Sequence, residues 1–258
     1  MHRVTLQDAL EEGFLYKLQC KLPPGDPRQE MDEADYFNFI RAGCPDEETF
    51  QQEYMCSPSD DASAFLSYDL IGSCEAPEPQ QYGDDAELYV GVDIGRERDL
   101  TVIWVLERLG DVFYTQFVHT MNCATFDAQE SALYALLEER QVKRCCIDQT
   151  GIGRQFAERA QRRFGEYKVE AINFTSAVKE ELAYPVRAAF EAKRVRIPSD
   201  PKIRADLRAI KKEITASGNV RFTADRGANG HSDRFWALAL ALHAGSKPAN
   251  YGPSATVA

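Results

Sequence analysis

The sequence predicts an α/β fold with a mixed central sheet, and three patterns carry this prediction. Residues 88–119 hold three strand-like segments, LYVGVDIG, LTVIWVLER and DVFYTQFVH, joined by short turns at Gly95 and Gly110. A helix-like segment, Asp127–Arg140, then leads into the apolar strand RCCID, which ends at Asp148. This order predicts an antiparallel three-stranded meander that parallel strands extend and helices flank.

The segments after Asp148 continue the alternation of helices and strands. Two strand-like segments on either side of Ser217-Gly218-Asn219 predict a β-hairpin. The other predicted elements, in chain order, are a helix over GIGRQFAERAQRRF, a strand over VEAINF, helices over Ala177–Lys193 and Pro201–Lys212, and a final helix over SDRFWALALALHA.

Charge divides the chain unevenly. The formal net charge of −11 would by itself argue against a nucleic-acid partner. Residues 1–86, however, contain 19 acidic and 5 basic side chains, whereas residues 87–258 contain 22 acidic and 25 basic ones. We therefore expect an extended acidic N-terminal arm over residues 1–86, a globular domain over residues 87–246 and a flexible tail over residues 247–258.

Cysteine spacing and hydropathy predict the compartment. The seven cysteines form no C-x-x-C pair and no zinc-like spacing with histidine, which favours reduced, buried thiols in a cytoplasm. The longest apolar runs are far shorter than the roughly 20 residues that a membrane span needs. No basic and apolar leader opens the sequence, so we expect a soluble protein that is not secreted.

Two aspartates end predicted strands. Alternation in the first strand places Tyr89, Gly91 and Asp93 on one face, and Asp148 ends RCCID in the same way. A carboxylate at the end of an apolar strand is costly to bury unless a partner compensates it, and a divalent cation is a strong partner. Each aspartate could instead cap the turn that follows it. The two together favour a ligand site at the strand ends.

A third aspartate opens the last predicted helix. Asp233 follows Ser232, a good N-cap residue, so its side chain projects from the first turn, where it could simply complement the helix dipole. Two hard cations that flank a scissile phosphate require several carboxylates from separate elements, which Asp93, Asp148 and Asp233 together provide. Asp99 is predicted to be an accessory metal ligand or a turn residue.

Three stretches carry a family resemblance. VGVDIGRERDLTVI, CIDQTGIG and HSDRFWALALALHA resemble the C-terminal nuclease domain of large terminase subunits from tailed bacteriophages, especially the Mu-like branch, over residues 86–246. The resemblance implies an RNase H-like fold and an endonuclease that uses two Mg²⁺ or Mn²⁺ ions to cut double-stranded phage DNA during genome packaging, in the bacterial host cytoplasm. Carried over by motif, Asp93, Asp148 and Asp233 are the catalytic metal ligands.

The rest of the chain resembles the family less specifically. Residues 1–86 are similar to the stretch that joins the packaging ATPase to the nuclease in that branch. The ATPase motif G-x-x-x-x-G-K-[ST] does not occur in this sequence, so we expect the chain to be a fragment, a split gene product or a prophage remnant that does not translocate DNA by itself. The resemblance further implies the small terminase subunit and the portal protein as partners, and no membrane.

Basic side chains near the carboxylates are candidate DNA contacts. The predicted helix Pro201–Lys212 places an apolar stripe on one face and basic residues on the other, which could follow a phosphate backbone or be a solvated surface. His231 is a possible general acid or base, or a residue that only orders its loop. The candidate DNA-binding residues are Arg154, Arg204, Arg208, Lys211, Lys212 and Arg226.

Three other interpretations remain open at the level of sequence. VGVDIG before a meander also opens actin-like ATPases, although the chain after Asp148 is short for a second nucleotide-binding half. A resolvase or transposase type of RNase H-like nuclease would use the same ions on a different DNA shape. A non-catalytic prophage assembly protein is the third alternative, and the presence of all three carboxylates argues against it.

Overall fold

Contacts divide the chain into two units, residues 1–62 and residues 63–258. The computed structural model describes residues 4–44, 50–51, 53–56, 64–77, 82–95, 100–214, 220–224 and 232–246. This division differs from the boundary predicted after residue 86. The reason is that Phe65, Leu66 and Ile71 are buried in the core of the second unit, where Glu75–Ala76 also adds an edge strand.

The described part of the first unit is helical rather than extended. It contains α1 (Leu6–Glu11), α2 (Phe14–Gln19) and α3 (Glu33–Gly43). Thr5 and Asp8 form a reciprocal capping box at the start of α1, which satisfies backbone N–H groups that a short helix would leave open. A small apolar cluster holds these helices together, and its buried members are Leu6, Leu10, Leu15, Tyr36 and Phe50.

The second unit contains a seven-stranded mixed sheet in the order β1-β7-β4-β3-β2-β5-β6. Strands β2, β3 and β4 form the predicted antiparallel meander, while β5 pairs parallel with β2 and β6 pairs parallel with β5. The predicted mixed sheet is thus confirmed. Its strands are β1 (Glu75–Ala76), β2 (Leu88–Asp93), β3 (Leu100–Leu109), β4 (Val112–Asn122), β5 (Val142–Asp148), β6 (Val169–Ile172) and β7 (Val195–Pro198).

Helices cover both faces of this sheet. Strand alternation sends Leu88, Val90 and Val92 into one apolar layer and Tyr89 into the other, where it packs with residues of the last helix. None of the helices in the described ranges is long and apolar enough to cross a membrane. The helices are α4 (Tyr68–Gly72), α5 (Phe126–Leu137), α6 (Gly153–Phe164), α7 (Ser176–Glu191), α8 (Pro201–Arg208) and α9 (Asp233–Ser246).

Helix α9 lies directly on the backbone of β2. A Cβ atom at Gly91 would collide with the carbonyl of Ala237 and the amide of Ala241. Glycine is therefore required at this position because it lets the helix approach the strand closely. This approach fixes where the first residue of α9 lies relative to the end of β2.

The prediction of one helix over Pro201–Lys212 is wrong in its last third. Helix α8 ends at Arg208, and Ile210–Ile214 forms β8, which pairs antiparallel with β9 (Val220–Ala224). Pairing with a distant strand outweighs the helical periodicity of the segment, and it buries Ile210. The predicted hairpin pairing is confirmed, although its turn at residues 215–219 lies outside the described residues.

Candidate metal centre

Asp93 and Asp148 end two neighbouring parallel strands. Val92 pairs with Ile147 in the register of β2 and β5, so the next residue of each strand is an aspartate. Alternation places Asp93 on the face of Gly91 and Asp148 on the face of Cys146, which is the face that α9 covers. Both predicted ligands therefore lie at one edge of the sheet, with side chains that are partly exposed.

Asp233 reaches the same edge from α9. It is the first residue of the helix, one turn before the Ala237 that lies on Gly91, and only 7% of it is exposed. Its Oδ2 accepts a hydrogen bond of 3.1 Å from the amide of Leu100, the first residue of β3. Carboxylates from β2, β5 and α9 are thus brought to the same end of the sheet.

A buried ion pair anchors the first turn of α9. The Arg234 guanidinium donates to Asp206 Oδ2 of α8 at 3.0 Å, and both side chains are less than a tenth exposed. Just before the helix, Ser232 has a φ of 63°, a left-handed conformation that is uncommon for a residue other than glycine. Such strain persists only where surrounding contacts fix the backbone, and here it precedes Asp233 directly.

Burial raises the pKa of Asp148 above its ordinary value of 3.8. The side chain and backbone of Thr150 oppose this shift by hydrogen bonding, and the Thr150 amide donates to Asp148 Oδ1 at 2.8 Å. The Phe174 amide donates in turn to Thr150 Oγ1 at 2.9 Å, which ties the end of β6 to the same turn. A carboxylate in this setting gains from a nearby cation.

Lys179 of α7 supplies a positive charge at this edge. Burial lowers its pKa, while Asp93 and Asp148 act in the opposite direction through their charges. Sequence reasoning missed Lys179, because its position relative to the carboxylates depends on how α7 packs. In the sequence, Lys179 looks like an ordinary lysine on a helix surface, and nothing in its distance along the chain from Asp93 or Asp148 links it to them.

The turn after Asp148 is also tightly built. A Cβ atom at Gly153 would collide with the carbonyl oxygen of Asp148, so helix α6 begins immediately beside the end of β5. Gly151 has a φ of 58°, which a glycine adopts without strain. Glycine at these two positions thus permits the tight turn that follows Asp148.

A model of the terminase RNase H-like domain family matches residues 90–244. This range contains all three carboxylates and covers more than half of the chain. The chain belongs to this terminase family. The predicted fold and the predicted resemblance are both confirmed.

Individual relatives agree with this assignment. A probable large terminase subunit of Escherichia phage Mu is 28% identical over 95% of this chain, and the aligned region makes up 52% of that protein. The large terminase subunit of Thermus phage G20c is 32% identical over 63% of this chain and 32% of its own length. The chain therefore spans about half the length of the Mu relative.

Solved structures of terminase nucleases share the fold. The crystal structure of the large terminase nuclease from phage G20c with bound magnesium matches 70% of this chain and 97% of its own, with a TM-score of 0.59 and 26% identity. The same nuclease with bound cobalt matches with a TM-score of 0.58 and 27% identity. Terminase homology leaves the actin-like interpretation without support.

Two of the basic residues predicted to line a terminase DNA surface have structural partners instead. Arg204 donates to Glu75 Oε1 at 2.6 Å in a largely buried ion pair. Arg208 is only 5% exposed, and it donates to the carbonyl of Leu66 at 3.2 Å. The predicted basic helical face is therefore not formed, because α8 turns these side chains towards residues 64–76.

The other predicted DNA contacts have different surroundings. Lys211 and Lys212 lie on β8 rather than on a helix, and Lys212 is exposed with its Nζ 5.3 Å from the ring centre of Tyr184. Arg154 is exposed in the first turn of α6, beside the end of β5. Asp99, Arg226 and His231 lie outside the described residues.

A second group of possible ligands lies on the same side of the sheet. Cys146, Glu170 and His243 have donor atoms within 4.8 Å of one another. The guanidinium of Arg144 donates to Glu170 Oε2 at 2.6 Å, so an arginine already neutralises the only carboxylate of this group. A tightly held guanidinium disfavours a divalent cation there, in contrast to the edge that carries Asp93 and Asp148.

Proposed function

We propose that this chain is a terminase nuclease that cleaves double-stranded phage DNA during genome packaging, with Asp93, Asp148 and Asp233 holding two Mg²⁺ or Mn²⁺ ions. The observation that carries the proposal is that β2, β5 and α9 each place a carboxylate at the same end of the sheet. Homology to terminase nucleases supports DNA cleavage as the reaction of this site.

The donor set fits hard divalent cations. All three proposed ligands are carboxylates, and Mg²⁺ and Mn²⁺ prefer oxygen donors. When bound, two such ions activate a water molecule and stabilise the leaving oxygen of a phosphodiester. Asp99 is the proposed accessory ligand, directly or through a water molecule.

The carboxylates keep fixed positions for this task. The Leu100 amide donates to Asp233 Oδ2, and the Thr150 amide donates to Asp148 Oδ1. The buried Arg234–Asp206 pair supports the first turn of α9 from behind. Such rigid support is what a reaction with strict geometric requirements needs.

DNA contacts are proposed at exposed basic residues of the second unit. Arg154 is exposed next to the end of β5, and Lys212 is exposed on β8. We propose that these two residues, with Lys211 and Arg226, contact phosphates, and that His231 assists proton transfer. A surface of this kind recognises the DNA backbone more than its sequence.

Further partners belong to the longer relatives. We infer from terminase homology that the small terminase subunit and the portal protein are partners and that the protein acts in the cytoplasm of the bacterial host. DNA translocation would require an ATPase, and the sequence contains no phosphate-binding loop motif.

Cleavage of supercoiled plasmid tests the proposal. We expect the full chain to nick and linearise plasmid with Mg²⁺ or Mn²⁺, to stop in EDTA, and to lose at least about 1,000-fold in rate in the variants Asp93→Asn and Asp148→Asn. Asp84→Asn is the matched control, because Asp84 is an exposed aspartate in a surface pair with Arg140. Absence of cleavage with either metal would favour a non-catalytic assembly protein.

A further inference from the structure

The side chain of Lys179 places its ammonium group near two of the proposed metal ligands. Lys179 lies one turn into α7. Thr175 caps the N-terminus of this helix, because its side chain accepts a hydrogen bond of 3.2 Å from the Val178 amide. The side chain interacts electrostatically with Asp93 and Asp148. It is therefore a cation that the protein itself brings to its two strand-end carboxylates.

Two aromatic rings hold this ammonium. Lys179 Nζ lies 4.7 Å from the ring centre of Trp236 and 5.5 Å from that of Phe174, and the two rings are 5.3 Å apart. Trp236 follows Asp233 within the first turn of α9, and the Phe174 amide is bonded to Thr150 beside Asp148. Trp236 thus belongs to the helical turn that carries Asp233, and Phe174 is hydrogen-bonded to the turn that follows Asp148, so the position of the ammonium is coupled to the carboxylates.

We propose that Lys179 is an internal counter-cation, which neutralises Asp93 and Asp148 in the metal-free protein and competes with the divalent ions for them. The inference rests on the proposed function, because it takes these two carboxylates as metal ligands. A compact ammonium on a flexible four-carbon stem can withdraw when a divalent ion arrives, whereas a bidentate arginine would be held more firmly.

The local charge makes this competition effective. The exposed Arg221 on β9 is a second cation near the Lys179 ammonium, and it acts against the charge of that ammonium. A divalent ion must therefore enter a site in which the charge of Lys179 already acts on Asp93 and Asp148. Lys179 sets the concentration of divalent ion at which the proposed site fills.

Calorimetric titration of the full chain with Mn²⁺ tests the proposal. We expect Lys179→Met to bind Mn²⁺ about tenfold more tightly than the wild type, because one positive charge close to the site is removed. Lys179→Arg keeps the charge on a guanidinium that is held more firmly, and it is expected to bind Mn²⁺ no more tightly than the wild type. Lys202→Met removes the same charge from an exposed position of α8 and is expected to change the affinity by less than about twofold.

The metal dependence of cleavage gives a second measurement. The Mn²⁺ concentration at half-maximal plasmid nicking should fall in Lys179→Met in parallel with the dissociation constant. Metal-free Lys179→Met should also unfold at a lower temperature than the wild type and gain more from added Mn²⁺, because its carboxylates lack their counter-cation. Lys179→Gln repeats both tests with a polar side chain if the methionine variant is poorly folded.

The outcomes separate this inference from the proposed function. Equal or weaker Mn²⁺ binding by folded Lys179→Met or Lys179→Gln, with normal binding by the wild type, would overturn the role of Lys179 and leave the nuclease proposal intact. Absence of Mn²⁺ binding by the wild type, or undiminished binding by Asp93→Asn, would instead overturn the metal centre, and the role of Lys179 with it.

Discussion

Two groups of potential metal ligands lie on the same face of the sheet, and the protein neutralises them differently. Arg144, Cys146 and Asp148 are every second residue of β5 and therefore share one face of the sheet. Cys146 of one group and Asp148 of the other are about 7 Å apart along the strand. In the group that contains Glu170, the Arg144 guanidinium forms an ion pair of 2.6 Å with this carboxylate. At the strand ends, a lysine ammonium close to two aromatic rings acts on Asp93 and Asp148.

The difference separates a structural ion pair from the proposed site for exchangeable ions. A planar guanidinium binds a carboxylate through several donors at fixed angles, and a buried pair of this kind is costly to break. An ammonium is a point charge on a flexible stem. The Arg144 pair therefore closes its site permanently, whereas the Lys179 arrangement leaves the strand-end carboxylates open to divalent ions.

The largest expected effect comes from moving the helix that both groups share. Helix α9 carries Asp233 and His243, and it lies on the backbone of β2 at Gly91. We expect Gly91→Ala to destabilise the protein by about 3 kcal/mol or more, because the new methyl group meets backbone atoms that cannot turn aside. Urea denaturation measures the change.

Gly72→Ala is the matched control for this substitution. A Cβ atom at Gly72 has no atom within 4 Å, so we expect a change in stability below about 0.5 kcal/mol. Folded Gly91→Ala should also lose Mn²⁺ affinity, because Asp233 moves away from Asp93. Unchanged stability in Gly91→Ala would contradict the close approach of α9 and β2.

A smaller effect on stability is expected from removing the guanidinium that pairs with Glu170. Arg144→Met leaves Glu170 largely buried without its guanidinium and should cost about 2–3 kcal/mol in the free energy of unfolding. Arg140→Met removes an arginine from an exposed pair with Asp84 and should cost less than about 0.5 kcal/mol. Equal losses in the two variants would mean that the Arg144 pair is no more structural than a surface contact.

The smallest effect concerns the stability that the protein loses by burying the ionised carboxylate of Asp148. Because burial raises the pKa of Asp148 in the folded protein above its unfolded value, its contribution to stability is full below the unfolded pKa and is lost as pH rises through the folded pKa. Metal-free Asp148→Asn avoids this loss. We expect it to be slightly more stable than the wild type at pH 7 and to have lost this advantage once the pH has fallen to about 4.

Thermal unfolding in EDTA and in Mg²⁺ measures this difference. Added Mg²⁺ should stabilise the wild type and leave Asp148→Asn unchanged, which reverses their order. The exposed Asp84→Asn should unfold like the wild type under both conditions. A metal-free Asp148→Asn that unfolds below the wild type at pH 7 would show that the Asp148 carboxylate stabilises the fold without metal.

Sequence alone predicts those parts of the molecule that depend on local patterns. Alternation in β2 and β5 locates the strands and their terminal aspartates, because Asp93 and Asp148 interrupt apolar runs. A capping pattern before an apolar helix locates Asp233. The register of β2 against β5 then brings Asp93 and Asp148 to one edge, as parallel strand ends require.

Features that depend on distant partners escape such reasoning. Arg208 belongs to a basic pattern in the sequence, but the carbonyl of Leu66 receives its guanidinium inside the fold. The segment from Ile210 becomes a strand because Val220–Ala224 pairs with it. Lys179 is an ordinary helical lysine until α7 brings it to carboxylates that lie more than 30 residues away in the sequence.

Anomalous diffraction from crystals grown with Mn²⁺ tests the central claim most directly. We expect manganese peaks between the carboxylates of Asp93, Asp148 and Asp233, and none at Cys146, Glu170 and His243, where Arg144 holds the carboxylate. A manganese peak at Glu170, or density that leaves the three aspartates without an ion, would contradict the metal centre proposed here.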